Sequence, residues 1–512
     1  MIGELIDEFS DPTDDGFLKG KAYPEGPWRP KTGVQRGTMY VGNGDPMTPG
    51  WPAVDSAPRI TLQQAGTDEH TDGQPLPKIP IHPLAWGDAQ PILAGLDGGP
   101  ELPASWQGGV PDVVYRTGPS DLVVRMDIVS NITRATVNQV LGIIPGAVEP
   151  DRWVILGAHR DAWDLGAMDP GSGTITILNV ARALGALLKQ GWRPRRSIVV
   201  MSHDAEEQGL VGSAEWVEHH KTLLQHRGVA YLNVDIAVDG REQFSPSGTP
   251  SLQALIRKVA RLVPAPPDQR AAGKATVSDM WPESQAVMGS LGSGSDFTAF
   301  QQHAGLAAAD FEFTGNSGYG GVYHSAYDSF YWLSHFGDPD FEYHKAMTQV
   351  MGLVALHLAD EPLLELDYVQ YPLALMQNLQ QVQQTLASVD GLHPQFDFSP
   401  MQEAIALFNQ SAVALRAALL QNPSPSPLAL RGINDQLVFT ERTFINFPKS
   451  ARGWYAHSLF SPGKYDAYAT DAFPVLGDAI HDHDWDAVAF QIQMLATIIR
   501  IAADSLSSSP IP

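Results

Sequence analysis

Five short islands carry most of the reactive side chains of this sequence: His159-Arg160-Asp161, Asp169-Pro170, Asp204-Ala205-Glu206-Glu207, Asp235 and Tyr323-His324. Imidazole nitrogen and carboxylate oxygen are donors that zinc takes in four-coordinate sites, and a catalytic zinc keeps one position for water. Two zincs roughly 3.5 Å apart need a bridging ligand, which one carboxylate can supply through its two oxygens. The minimum set is two histidines, one bridging carboxylate and a terminal carboxylate for each metal. His159, His324, Asp169, Glu207 and Asp235 provide that set. Glu206 is left over. Its side chain cannot point the same way as that of Glu207, which suits it to act as a general base on the attacking water. A lone His-x-Asp or Asp-Ala-Glu-Glu is usually a solvated loop; the weight here comes from all the islands occurring together, in order, after strands.

The elements that must position these groups are legible. Trp153-Val154-Ile155-Leu156-Gly157 precedes His159, Ser197-Ile198-Val199-Val200-Met201 precedes Asp204, and Val229 to Val234 runs directly into Asp235. Continuous apolar runs of this length suit strands buried on both faces of a mostly parallel sheet. Between the first two runs, Ile177, Ala181, Leu184 and Leu188 recur at helical spacing over Gly173 to Lys189, and Gly191 stops the helix. Strand, helix, strand in this order implies a right-handed parallel crossover. In open sheets of this kind ligands bind at the carboxyl ends of the strands, where the islands fall.

Composition sets outer limits. A chain of 512 residues is expected to form two to four domains. With 43% hydrophobic and 18% charged residues it is globular. A net charge of −24 argues against nucleic acid and against general attraction to anionic membranes. There is no cysteine, so any metal site must use nitrogen and oxygen ligands. Met1 to Glu8 is acidic and does not fit a signal peptide. No uninterrupted run of 18 apolar residues occurs, and Ala487 to Ala503, interrupted by Gln491, Gln493 and Arg500, reads as a packed helix, so no membrane span is expected. The compartment is left open.

The stretches WVILGAHRDAWDLGAMDPGSG, GWRPRRSIVVMSHDAEEQGLVGSAEW and GVYHSAYDS closely resemble the glutamate carboxypeptidase family (N-acetylated α-linked acidic dipeptidase, prostate-specific membrane antigen), which shares its architecture with the transferrin receptor. The resemblance runs from Gly33-Val34-Gln35-Arg36-Gly37 to Phe473-Pro474. It implies an α/β fold: a mixed, mostly parallel sheet in a two-zinc exopeptidase domain (134–362), a partial protease-associated apical domain (1–133) and a C-terminal helical dimerisation domain (363–512). Residues 1–133, rich in Gly and Pro, are expected to form loops and short strands. Relatives carry a membrane anchor and earlier apical sequence, so the chain is expected to begin inside that domain. After residue 363, Leu373, Met376, Leu379, Val382 and Leu386 lie at helical spacing, and Asn422 to Pro427 forms a Pro-Ser linker.

The resemblance also implies roles. His324 and Glu207 hold one zinc, His159 and Asp235 the other, and Asp169 bridges; Glu206 is the base, Asp161 orients His159, and Tyr323 contacts the substrate and its oxyanion. Lys464 and Tyr465 match a pair that reads a C-terminal glutamate. Gly209, Leu210 and the Ser293-Gly294-Ser295 loop also border the substrate. The arginine that grips the α-carboxylate in the family belongs to earlier apical sequence, and its asparagine partner falls near Asn43. Where the family has an arginine patch for an acidic penultimate residue, this chain has Ser245, Asp310 and Glu312, which reverses the expected preference because like charges repel in a confined site. Glu215 and Glu218, three apart on a helix, are expected to bind a structural calcium ion with backbone oxygens of Thr48 and Trp51. The reading is a two-zinc carboxypeptidase acting on peptides, active as a homodimer. An aminopeptidase with the same ligands, and a catalytically silent receptor-like scaffold, are the alternatives.

Overall fold

Apolar alternation along the strands builds two cores, one on each face of a single sheet. Val154, Leu156, Ala158 and Ile198 face one layer, while Ile155, Val199 and Met201 face the other. The computed structural model describes residues 20–40, 42–71, 75–282, 287–315, 321–389, 394–421, 425–445, 453–464 and 470–507.

The sheet strands are β1 (Val140–Ile144), β2 (Glu149–His159), β3 (Arg196–His203), β4 (Gly228–Asn233), β5 (Ser247–Gly248) and β6 (Ala307–Asp310). Their spatial order is β1-β3-β2-β4-β6-β5. The four inner strands are parallel, with Ile155 opposite both Val199 and Tyr231, and Asn233 opposite Asp310. The outer strands β1 and β5 pair antiparallel.

The main helices, in chain order, are α1 (Trp86–Ala94), α2 (Gly171–Lys189), α3 (Val211–Arg227), α4 (Gln253–Ala260), α5 (Glu342–Asp360), α6 (Tyr371–Ser388), α7 (Ser399–Gln421), α8 (Pro427–Arg442), α9 (Pro474–His481) and α10 (Trp485–Ser507). Helix α2 and α5 cover one sheet face and α3 the other. The first face continues without a break into α6–α10, so the C-terminal helices share the core of the sheet. Fully buried Arg196 ties the junction, donating to the carbonyls of Leu358, Glu361 and Pro362.

Two differences from the sequence reading have physical causes. Described residues 20–133 form loops and short helices; of the expected strands only the isolated bridges Ala22–Trp28 and Glu101–Arg116 form. Gly and Pro there remove side-chain packing and backbone donors that a ladder needs. Helices α2, α7 and α10 are each long and apolar enough to cross a membrane by length and composition, whereas the sequence reading found no such segment. Within this fold α2 packs on β2 and α5, and α7 packs on α10.

Candidate metal centre

Strand ends deliver the groups. His159 is the last residue of β2, Asp204 follows β3 directly, and Asp235 lies two residues beyond β4. Asp169 precedes α2, whose N-terminus favours a nearby anion. Ala205, Leu210 and His324 all take positive φ, at +56°, +53° and +53°. Three non-glycine residues in that region around one site indicate loops held by their surroundings.

The structure brings the five candidate ligands together. His159 Nε2 lies 2.9 Å from Asp235 Oδ1 and 3.4 Å from Asp169 Oδ1. His324 Nε2 lies 3.1 Å from Asp169 Oδ2 and 3.2 Å from Glu207 Oε2. Asp169 therefore presents one oxygen to each imidazole, and each imidazole has its own second carboxylate. Glu206 Oε2 stands 3.9 Å from His159 Nε2.

Both imidazoles are oriented from behind. His159 Nδ1 donates to the carbonyl of Asp161 at 3.0 Å, and His324 Nδ1 to the carbonyl of Arg36 at 2.8 Å. A carbonyl only accepts, so Nδ1 carries a proton and Nε2 is the atom turned to the carboxylates. Each Nε2 and the oxygens facing it therefore share a cation between them, either a proton or a metal ion. Asp169 Oδ1 is also buried without a hydrogen-bond donor. The acids impose the same demand electrostatically. Burial opposes charge on both imidazoles, yet Asp235 and Glu206 hold His159 well above its ordinary pKa, and Asp169 and Glu207 push His324 up to about 9. Burial raises the pKa of Glu206 and of Glu207. This set of imidazole nitrogens and carboxylate oxygens fits zinc.

Asp161 differs from its expected role. Its carboxylate stands 3.7 Å from His159 Nδ1, and its oxygens instead accept from the amides of Glu206 and Glu207 at 3.1 and 3.2 Å. The ring is oriented by the carbonyl of the same residue; the carboxylate braces the loop that bears the base.

Several positioning groups escaped the sequence reading. Asp328 accepts from the amides of Met168 and Asp169 at 2.9 and 3.0 Å. Thr174 Oγ1 donates to the His159 carbonyl, and the Trp163 amide to Glu207 Oε1 at 3.1 Å. Asp328 stood within the quoted HSAYDS stretch, but Arg36 and Trp163 act through backbone atoms, which leave no side-chain signature.

The remaining candidates are more dispersed. Tyr323 stacks on His324 with ring centroids 3.6 Å apart. Gly209 and Leu210 end the base loop before α3, and a Cβ on Gly209 would meet the Tyr40 ring at 2.8 Å. Asn233 Nδ2 donates to both Ser295 Oγ and Asp310 Oδ1 at 2.9 Å, which puts the Ser293-Gly294-Ser295 loop and Asp310 behind Asp235. The Glu312 carbonyl accepts from Ser245 N at 2.9 Å. Lys464 Nζ is held by both oxygens of Asp482 at 2.7 Å, so a substrate carboxylate has to compete with Asp482 for it. Tyr465 lies outside the described residues. Asn43 is buried and donates to Tyr455 Oη at 2.7 Å. Glu215 accepts from the amides of Asp45 and Ala53, in the segment that carries Thr48 and Trp51. Glu218 Oε1 accepts from Trp454 Nε1 at 2.7 Å, and its Oε2 is buried without a partner.

Residues 139–335 match peptidase family M28, and residues 396–507 match the transferrin receptor-like dimerisation domain. The chain is 38% identical over 94% of its length to Probable glutamate carboxypeptidase LAMP1 of Arabidopsis thaliana, covering 68% of that protein. It is 36% identical over 99% of its length to Aminopeptidase NAALADL1 of Mus musculus, covering 70% of it. A third relative, Probable glutamate carboxypeptidase of Arthroderma benhamiae, is 38% identical over 99% of this chain and 70% of its own length.

Proposed function

We propose, for a chain that belongs to peptidase family M28 and carries the transferrin receptor-like dimerisation domain, a two-zinc exopeptidase that removes C-terminal residues from peptides. The observation that carries the two-metal count is Asp169, whose two oxygens reach His159 at 3.4 Å and His324 at 3.1 Å. His159 and Asp235 would hold one ion and His324 and Glu207 the other. Zinc supplies Lewis-acid polarisation of the scissile carbonyl and a lowered pKa for water.

The chain's own residues supply the rest. Glu206 takes the proton of the attacking water and returns it to the leaving amine. Asp161 keeps the Glu206-Glu207 loop in register through its two amide bonds. Tyr323, beside His324, faces the oxyanion. Asp310 and Glu312 disfavour an acidic penultimate residue, by order 1–2 kcal/mol after screening. A structural calcium ion on Glu215 and Glu218, with the Thr48 and Trp51 carbonyls, accounts for two partly buried acids whose pKa values burial pushes up to about 8 and about 7.

Aminopeptidase action is the second reading, favoured by the engagement of Lys464 with Asp482. The deciding experiment is metal analysis of reconstituted protein followed by a dipeptide panel with free and blocked termini. About two zincs per chain and cleavage of N-blocked peptides support the proposal. Cleavage that needs a free amino terminus transfers it to the aminopeptidase reading. Among Asp-Glu, Ala-Glu and Lys-Glu, the first is expected to have the lowest kcat/KM.

A further inference from the structure

Among the described residues, imidazole and carboxylate donors converge at one more place. His357, Glu361 and Glu365 offer one atom each, all within 4.8 Å of one another. His357 Nδ1 lies 2.8 Å from Glu365 Oε1 and 3.9 Å from Glu361 Oε1. The catalytic groups stand at the carboxyl ends of the strands, but this cluster lies at the opposite end. Arg196, the first residue of β3, donates to the carbonyls of Leu358 and Glu361. The eight residues of β3 separate the two ends by roughly 25 Å. His357 is in the last turn of α5 and Glu361 caps it, so the two side chains, four apart, share a face. Glu365 stands between buried Leu364 and Leu366 in the connector that leads to α6. That connector is pinned by Asn434 of α8, which accepts from the Leu364 amide at 2.9 Å and donates to the Pro362 carbonyl at 2.8 Å. The place also attracts positive charge. A helix C-terminus favours a cation, and the Lys258 ammonium of α4 already lies 2.9 and 2.8 Å from the two oxygens of Glu365.

We propose that His357, Glu361 and Glu365 bind a divalent ion of the zinc class, separate from the catalytic metal, which fastens the end of α5 to the connector into the helical domain. A nitrogen and an oxygen on one tetrahedral zinc stand about 3.4 Å apart. The 2.8 and 3.9 Å separations straddle that value, so each carboxylate has to shift by only about half an ångström. Water completes the shell. Calcium takes six or more oxygen ligands and magnesium keeps to oxygen, so an imidazole with two carboxylates selects against both. Lys258 is a tethered rival. Its ammonium has to release one oxygen of Glu365 when the metal arrives, and its side chain is half-exposed, which keeps that competition weak.

The test is equilibrium dialysis of the full chain against buffered micromolar zinc, with circular dichroism to check that each variant is folded. The wild type is expected to bind one ion per chain more than either His357→Ala or Glu365→Gln, whatever number the centre at His159 and His324 holds. His324→Ala, which damages that centre, should still bind the additional ion. Lys258→Met is expected to tighten it by up to about fivefold, the most that an exposed ion pair opposes. Zinc should raise the melting temperature of the wild type more than that of His357→Ala, because an ion held only by the folded chain stabilises it. Equal zinc counts in the wild type, His357→Ala and Glu365→Gln overturn the proposal and leave an ion-paired cluster around Lys258. Weaker zinc binding in Lys258→Met overturns it as well, since the lysine would then support the site and not compete for it.

Discussion

Glu206 and Glu207 are adjacent in sequence yet divided in role, because the chain turns through Ala205 at positive φ and Asp161 fixes both amides. Glu207 faces His324 at 3.2 Å, while Glu206 stands 3.9 Å from His159. Glu206→Gln is expected to retain zinc and lose about 10²- to 10⁴-fold in kcat, the usual worth of general-base catalysis. Glu207→Gln is expected to lose zinc first. Metal analysis beside kinetics checks both, and equal zinc loss in the two variants would show that the roles are misassigned. Away from the centre, burial pushes His303 down to about 4, assisted by Lys221, and His203 down to about 3, assisted by His159 and Arg160. Both are neutral in the fold and gain protons on unfolding near pH 6.5. Their stabilisation is full above about pH 6.5 and is lost as pH falls towards the folded values, on the order of 3–5 kcal/mol per imidazole at most. His303 donates through Nδ1 to the Trp454 carbonyl at 2.8 Å, a bond that asparagine can imitate. Melting temperature between pH 6.5 and 4 should therefore fall less steeply in His303→Asn than in the wild type; superimposable slopes would remove His303 from the account.

At the scale of elements, helix α2 must lie close enough to the end of β4 to hold Asp235 against His159. Gly173 allows that approach, since a Cβ there would meet the carbonyl oxygens of Asp235 and Val234 at 2.1 and 2.2 Å. Gly173→Ala should push the helix off the strand, cost about 1–3 kcal/mol as overpacking does, and weaken zinc binding on the His159 side. Gly185, on the same helix, has nothing within 4 Å of its missing Cβ. Gly185→Ala should stabilise by about 0.4–1 kcal/mol through lost unfolded-state entropy and leave zinc untouched. Denaturant unfolding with zinc analysis tests the pair. Loss of stability in Gly185→Ala, or full zinc retention in Gly173→Ala, would break the link between helix approach and the metal site.

At the scale of the molecule, the core runs from the sheet into α6–α10, so the dimerisation domain is built onto the peptidase unit and shares its stability. Among the described residues, its helices leave large apolar side chains exposed: Val413 and Leu420 on α7 and Phe490 on α10, with Leu420 75% exposed and Phe490 58% exposed. In a segment that matches a dimerisation domain, such side chains are candidates for an association surface. Light scattering should give about twice the 55.5 kDa chain mass, and Phe490→Asp should shift the protein towards monomer with the zinc content unchanged. A wild-type monomer at micromolar concentration would exclude this face as a stable interface.

Periodicity and donor chemistry carried the parallel strands, the crossover helix and the ligand types, because burial on two faces writes itself as continuous Val, Ile and Leu, and zinc accepts few side chains. The strand leading to His159 runs from 149 to 159, and the helix after Asp169 from 171 to 189, within a few residues of where the apolar pattern put them. The edge strand β1, four of whose five residues are exposed, carried no such mark. Which oxygen faces which imidazole was not written in the residues at all. Asp161 sits two residues from His159, but its carboxylate turned to the base loop, and its carbonyl took the ring. Arg36, 288 positions from His324, became that residue's partner through main-chain atoms that every amino acid possesses. Side-chain identity announces what a group can do; only the closing of the chain over long separations decides which backbone groups hold it, and so which way it points.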